Sequence, residues 1–212
     1  MKRKSVFYAA TIVVLLTFAV TFVLYTKHVR LQEEIAGKVL RFHVLANSDS
    51  AEDQNLKLKV RDAVGVYLGQ KLQDVDNLSE CEKVVDDNLD GIVSVAREVI
   101  LKEGYQYPVT ANLEDTSFPV KTYGAYTFPA GDYEALRVVI GAGEGHNWWC
   151  VLYPNMCFSG SMYEVTGEEA EQKLREVLDE EEYEQILKEG NYKIQFKYLP
   201  FLNSLANSEK TS

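Results

Sequence analysis

The sequence predicts an α+β fold: a single extracytoplasmic domain with a mostly antiparallel sheet packed by about four helices, preceded by one N-terminal transmembrane segment. Two observations predict it. The hydrophobic pattern changes repeatedly between the two-residue period of strands and the helical period of about 3.6 residues, and a long uncharged apolar run precedes all of these segments. We assign 1–30 to a cytoplasmic basic cluster and the membrane segment, 31–200 to the domain and 201–212 to a disordered polar tail.

The N-terminal segment has the length and composition of a membrane-spanning helix. After Lys2-Arg3-Lys4, no charged residue occurs between Val6 and Tyr25, and about 20 helical residues cross a hydrocarbon core of about 30 Å. The basic cluster should stay in the cytoplasm, which places the rest of the chain outside. An uncleaved anchor and a secretory signal both fit, although the residues after Val23 contain no small-residue cleavage site.

Length and charge limit what the rest of the chain can do. About 180 residues remain after the apolar segment, enough for one domain with a sizeable core. The formal net charge is -10, which argues against nucleic acid, because phosphates require a basic surface. The acidic run from Glu168 to Glu189 is typical of a solvated helical face. We expect no cofactor.

The first half of the domain is predicted to contain one strand and two helices. Alternating apolar residues predict a core strand from Leu40 to Ala46 with one apolar face. Ser48-Asp49-Ser50 offers N-cap side chains for an amphipathic helix that reaches about Leu72. A capping-box pattern from Ser79 to Glu82 predicts a second helix that ends near Gly104.

The second half is predicted to contain most of the strands. A turn at Pro129–Asp132 should join the two strands around it as a hairpin. A loop with three glycines between 141 and 145 separates that hairpin from the next strand. The predicted strands are Pro108–Leu113, Tyr123–Phe128, Tyr133–Ile140, Trp148–Tyr153 and Tyr192–Tyr198, and the predicted helices are Gly167–Leu178 and Glu180–Lys188.

Polar residues gather in the turn after the first strand. Asn47, Asp49 and Asp53 should lie at a helix N-terminus, where free amides and the helix dipole favour such groups. Helix capping and contact with a partner both explain them. The four-residue spacing of Asp49 and Asp53 also suits calcium or magnesium, but no glycine-containing calcium loop accompanies it, so we assign no metal. Asp53 and Lys57 have the spacing of an ion pair.

Histidine and tryptophan residues form a second group of candidates. The glycine-rich loop leads into His146, Trp148 and Trp149, and successive strand residues point to opposite faces. One indole can therefore lie in the core while the other stands at the surface as a binding anchor, or both can be buried. His43 lies on the strand face opposite Phe42, as either a structural residue or a catalytic base.

The three cysteines leave several alternatives open. Cys150 and Cys157 flank a short connection that can fold back on itself, and a disulfide is permitted outside the cytoplasm. Inert free thiols are the second alternative. Cys150 acting as a nucleophile with His146 or His43 as its base is the third, although no cysteine-protease signature surrounds Cys150. Cys81 is expected to stay unpaired.

Three blocks of this sequence carry a family resemblance: Arg41 to Gln54 continuing through Leu56 to Asp62, then Pro129 to Arg137, and then Gly145 to Val151. They resemble the stage II sporulation protein R family of endospore-forming bacteria. The similarity is specific and extends over about residues 35 to 160, and the short N-terminal anchor and the overall length agree with it.

The resemblance implies a signalling protein that is exported from the forespore into the intermembrane space, where it acts without catalysis. Its implied partner is the membrane-embedded aspartic peptidase that processes the sigma-E precursor in the mother cell. The family brings no established catalytic residues, so none is assigned. The rival hypothesis is a cell-envelope hydrolase that uses His43 or His146 with acidic groups or Cys150. The candidate partner contacts are His43, Asn47, Asp49, Arg61, His146, Trp148 and Trp149.

Overall fold

The computed structural model describes residues 2–154, 156 and 167–189, and these residues have the predicted α+β class. The described elements are α1 (Lys2–Ala36), β1 (Leu40–Leu45), α2 (Ala51–Lys71), α3 (Leu78–Asp87), α4 (Leu89–Lys102), β2 (Val109–Phe118), β3 (Lys121–Tyr123), β4 (Tyr126–Phe128), β5 (Gly131–Ile140), β6 (Asn147–Tyr153), α5 (Gly167–Val177) and α6 (Glu180–Glu189). The predicted strand Tyr192–Tyr198 and the tail 201–212 lie outside the described residues.

Four strands form the main sheet in the order β2-β5-β1-β6. β1 runs parallel to β5 and antiparallel to β6, and β2 runs antiparallel to β5. Most of the pairing is therefore antiparallel, as predicted. The parallel pair is possible because α2, α3, α4 and β2 supply the long crossover that parallel strands require.

The predicted hairpin around Pro129–Asp132 is wrong. The stretch Tyr123–Phe128 folds back on itself, because Gly124 adopts a φ of 57° and allows a tight turn between β3 and β4. β5 joins the main sheet instead, where all ten of its residues pair with β2. β2 is consequently longer than the predicted strand and extends to Phe118.

Helices cover one face of the main sheet. Phe42 and Val44 of β1 point into a core that α2, α3 and α4 close. The predicted first helix is confirmed, since α2 follows its N-cap Ser50, whose hydroxyl accepts a hydrogen bond from the Asp53 amide. Its apolar stripe is fully buried and consists of Leu56, Val60, Val64 and Leu68.

The predicted second helix is two helices, α3 and α4. Asn88 separates them, and its side chain donates to the Val84 carbonyl at 2.7 Å and accepts from the Tyr67 hydroxyl at 2.9 Å. The predicted capping box at Ser79 is also wrong. Asn77 caps α3, because its side chain accepts the Glu80 amide at 2.9 Å. The contact of Asn88 with Tyr67 is a tertiary contact that local sequence patterns do not report.

A second core lies on the other face of the sheet and includes the end of α1. Leu31 and Ile35 are buried there with residues of β4, β5, α5 and α6. Lys38, which follows α1, binds Glu182 of α6 at 2.5 Å, and that glutamate is 1% exposed. The acidic run is therefore not entirely a solvated face. The predicted boundary at residue 30 stays a prediction, and α1 runs through it without a break.

The N-terminal half of α1 matches the predicted membrane segment. A stretch within Thr11–Ala36 is long and apolar enough to cross a membrane. Its large apolar side chains, such as Phe18 and Phe22, are more than half exposed, as expected of residues that face lipid. The helix is consistent with a membrane anchor or signal that continues directly into the folded domain.

Candidate functional site

The turn between β1 and α2 is held together by hydrogen bonds to one buried carboxylate. Asp53 is 5% exposed and accepts from the Asn47 amide at 2.8 Å and from the Ser48 hydroxyl at 2.5 Å. The hydrogen bond from Ser48, followed by that from Asn47, lowers the pKa of Asp53 below its usual value, against the effect of burial. The predicted Asp53–Lys57 ion pair is wrong, because Asp53 is turned towards Asn47 and Ser48.

The glycine-rich loop between β5 and β6 is attached to this turn. The Ala142 amide donates to Asn47 Oδ1 at 3.0 Å, and the Gly145 amide donates to the Ala46 carbonyl at 3.0 Å. A Cβ atom on Gly145 would lie 2.1 Å from the Ser48 carbonyl oxygen, closer than two atoms can approach. A glycine is therefore required where the two segments meet.

His146 and Asp49 form an exposed pair across the same junction. The His146 amide donates to Asp49 Oδ1 at 2.6 Å, and the His146 imidazole Nδ1 contacts the same oxygen. These hydrogen bonds lower the pKa of Asp49. The two side chains remain 55% and 80% exposed for Asp49 and His146 respectively, so the pair lies on the surface and not at the base of a pocket. We call Asn47, Ser48, Asp49, Asp53, Gly145 and His146 the turn–loop cluster.

Arg61 and Trp148 lie next to this cluster on the helical side of the sheet. The Arg61 guanidinium lies 5.0 Å from the Trp148 ring centre, and Trp148 meets Phe42 edge to face at 5.5 Å. Lys57 links the pair to the cluster, since it donates to the His146 carbonyl at 2.8 Å. Burial, and then the charge of Arg61, lower the pKa of Lys57. Sequence reasoning placed Lys57 in an ion pair and missed this position.

His43 and Trp149 lie on the opposite face of the sheet. Their rings stack at 4.9 Å with an interplanar angle of 11°, and Phe118 packs against both. Burial, followed by the charges of Arg137 and Arg41, lowers the pKa of His43 to about 4. A base with so low a pKa is a poor proton acceptor at neutral pH. The predicted residues thus divide between two faces, and His43 does not converge with Asp49 and His146.

Arg41 is a buried cation that sequence reasoning missed. Its side chain is 0% exposed, donates to the Cys150 carbonyl and the Tyr123 hydroxyl, and lies 4.4 Å from the Phe118 ring centre. Burial lowers its pKa. Its place in the alternation beside His43 was visible in the sequence, but the aromatic side chains around it come from distant segments. Those rings belong to Phe118, Tyr123, Phe128 and Tyr133.

The sequence raised two further possibilities, a metal site at Asp49 and Asp53 and a disulfide or reactive thiol at Cys150. In the part of the chain that the structure describes, no group of three or more side chains of metal-ligand type occurs, and Asp49 and Asp53 contact different partners.

Cys150 is buried opposite Phe42 in the helix-covered core. Cys157 lies outside the described residues, so its pairing with Cys150 stays a prediction. Cys81 is a free, buried thiol, and burial raises its pKa to about 12.

Comparison of the sequence with known proteins shows similarity to one protein family. A sequence model described as stage II sporulation protein R matches residues 36–163, which contain both faces just described. The chain is 40% identical over 124 residues to the stage II sporulation protein R of Bacillus subtilis strain 168. This alignment covers 58% of the chain and 55% of the relative, so the chain spans little more than half of that protein. No solved structure matches.

The junction of turn and loop can be tested with a pair of glycine substitutions. Gly145→Ala forces a methyl group against the Ser48 carbonyl, so we expect a loss of about 1–3 kcal/mol in the free energy of unfolding. Gly69→Ala is the control, because nothing lies within 4 Å of a Cβ there and alanine favours a helix by up to about 1 kcal/mol. Urea unfolding of the full chain in detergent micelles measures both. Equal stability of the two variants would refute the close approach.

The buried His43 predicts a pH dependence of stability. Its pKa is about 4 in the folded chain and about 6.5 when unfolded, so the unfolded chain binds the extra proton first as the pH falls. This contribution to stability is full above about pH 6.5 and falls by on the order of 3 kcal/mol as the pH approaches 4. His43→Phe should remove that part of the slope, whereas His28→Gln, at an exposed position, should keep it. Urea midpoints between pH 4 and 7 test this, and an unchanged slope in His43→Phe would contradict it.

Proposed function

This chain belongs to the stage II sporulation protein R family, and on that premise we propose that it is an extracytoplasmic sporulation signal that activates a membrane-embedded aspartic peptidase. A role in sporulation follows from the family. The finer proposal is that the chain is exported from the forespore and acts in the intermembrane space. There it favours processing of the sigma-E precursor by the mother-cell peptidase.

The observation that carries this proposal is the distribution of the reactive side chains. An enzyme needs its acid, base and nucleophile within hydrogen-bond reach of one substrate. His43 lies under Trp149 on one face, Cys150 is buried in the core of the other, and His146 lies at the surface with Asp49. Such a dispersion favours a binding protein over a catalyst.

Binding can activate the peptidase through a difference in affinity. A ligand shifts its target between two states only by the difference between its binding free energies for them. A shift from about 1:99 to 99:1 requires a difference of about 5.5 kcal/mol, which a few well-packed contacts can supply. An active dimer of the peptidase is one state that the chain could stabilise in this way.

A cell-envelope hydrolase is the second candidate, and one contact favours it. Histidine paired with a carboxylate is the acid–base part of many hydrolytic sites, and His146 and Asp49 have that contact. The pair is exposed, and the nearby Ser48 hydroxyl is bound to Asp53 instead. The Ser48 hydroxyl is therefore not directed at the pair as a nucleophile.

Reconstitution in a host that does not sporulate tests the proposal. We expect the sigma-E precursor to be processed when the full chain and the peptidase are produced with it, and to stay intact when this chain is omitted. His146→Gln should reduce processing partially, because it removes one contact from a surface, whereas a catalytic histidine would abolish it. Immunoblots of the precursor provide the measurement. Processing without this chain would contradict the proposal.

A further inference from the structure

Four side chains form one row across the face of the main sheet that the helical core does not cover. The strand register places Asn112 beside Arg137, Arg137 beside His43, and His43 beside Trp149. The row therefore crosses β2, β5, β1 and β6 in order. His43, Arg137 and Trp149 each come from a different one of the three blocks that resemble the family. We call these four residues the cross-strand row.

The second core covers the centre of the row and leaves its ends open. The neighbouring row contains Ala135, Arg41 and Val151, all with 0% exposure. In the cross-strand row, Phe118 of the second core packs against His43 and Trp149, but Asn112 is exposed and both Arg137 and Trp149 are partly exposed. Across the residues that the structure describes, coverage of this face thus decreases towards the ends of the cross-strand row.

His43 is the buried centre of the row and has unused hydrogen-bonding capacity. It is 2% exposed, and among the described residues neither of its ring nitrogens has a hydrogen-bond partner. A buried polar group without a partner costs free energy and requires an explanation, and a group supplied by a binding partner is one. His43 lies between Arg137 and Trp149, the two residue types most enriched at the centres of protein interfaces.

The charge around the row is opposite to that of the whole chain. The formal net charge of the protein is -10, yet Lys121 lies 5.7 Å from the Trp149 ring centre, and the charges of Arg137 and the buried Arg41 act on His43. Among the described side chains, the carboxylate of Glu114 binds Arg137 at 3.2 Å. A positive excess remains, and it complements an acidic ligand.

We infer that the cross-strand row and Lys121 bind an acidic segment of the partner protein, with a carboxylate near Lys121 and Arg137 and an apolar side chain against Trp149. This inference rests on the proposed function and assigns the part of the binding surface that lies on the sheet, in addition to the contact proposed for His146. An anionic lipid of the chain's own membrane fits less well. The row lies about 10 Å further along β1 than Leu40, at about 3.3 Å per residue, and α1 joins the domain at the Leu40 end, where Gln32 abuts Gly131 of β5.

A charge reversal outside the ion pair gives the cleanest test. Lys121→Glu leaves the Arg137–Glu114 pair intact and places a carboxylate against the incoming one. Lys102→Glu is the matched control, because Lys102 is exposed at the end of α4 on the helical side of the sheet. With the full chain and the peptidase in separate nanodiscs, we expect Lys121→Glu to weaken binding at least about tenfold at low salt, and Lys102→Glu less than about twofold.

The outcomes of this experiment distinguish a failure of the inferred binding surface from a failure of the proposed function. Binding by the wild type that both variants retain, or lose equally, would overturn the inference and leave the proposed function standing. Failure of the wild type to bind the peptidase would overturn both. Flotation with phosphatidylglycerol vesicles provides the third arm. Vesicle binding that Lys121→Glu abolishes, together with unchanged peptidase binding, would assign the patch to lipid and refute the inference.

Discussion

The burial of β1 on both faces is the constraint on which the rest of the structure depends. All six of its residues are buried, between a parallel neighbour on one side and an antiparallel neighbour on the other. Phe42 and Val44 anchor the helical core, while Arg41 and His43 point into a layer of aromatic rings. A polar strand face can be buried only if other segments cover it, and aromatic side chains of β2, the β3–β4 hairpin, β5 and β6 cover Arg41 and His43.

The same arrangement explains why distant blocks of sequence act as one surface. The turn after β1 and the loop before β6 meet at the end of the strand, where Gly145 allows their backbones to approach. Asp49 and His146, 97 positions apart, are consequently in contact. The helix that is long and apolar enough to cross a membrane ends in the second core through Ile35. The proposed binding face and this helix therefore belong to one packed body.

Hydrophobic periodicity and capping patterns predicted most of the helices and strands. The features that they did not predict depend mainly on contacts between elements. The hydrophobic periodicity was sufficient to predict β1 and α2, because the apolar stripe of α2 and its cap, Ser50, lie in one continuous segment. The predicted second helix is divided at Asn88, whose contact with Tyr67 comes from another element. The predicted strand Tyr123–Phe128 is divided by a local turn at Gly124, which alternation alone does not reveal. The candidate residues were found by type, but their division between two faces required the register of β1 with β6. The environment of Arg41 could not be predicted, because the aromatic rings around it come from four other strands.

Native-state hydrogen exchange of the full chain in detergent micelles tests the central role of β1 most directly. The amides of Leu40–Leu45 should exchange only through global unfolding, with a free energy equal to that from urea unfolding, because no smaller opening exposes a strand buried on both faces. The amides of α5 and α6, which pack against β4, α1 and each other outside the main sheet, should exchange at lower free energy. Exchange of the β1 amides through a smaller opening than global unfolding would contradict the account.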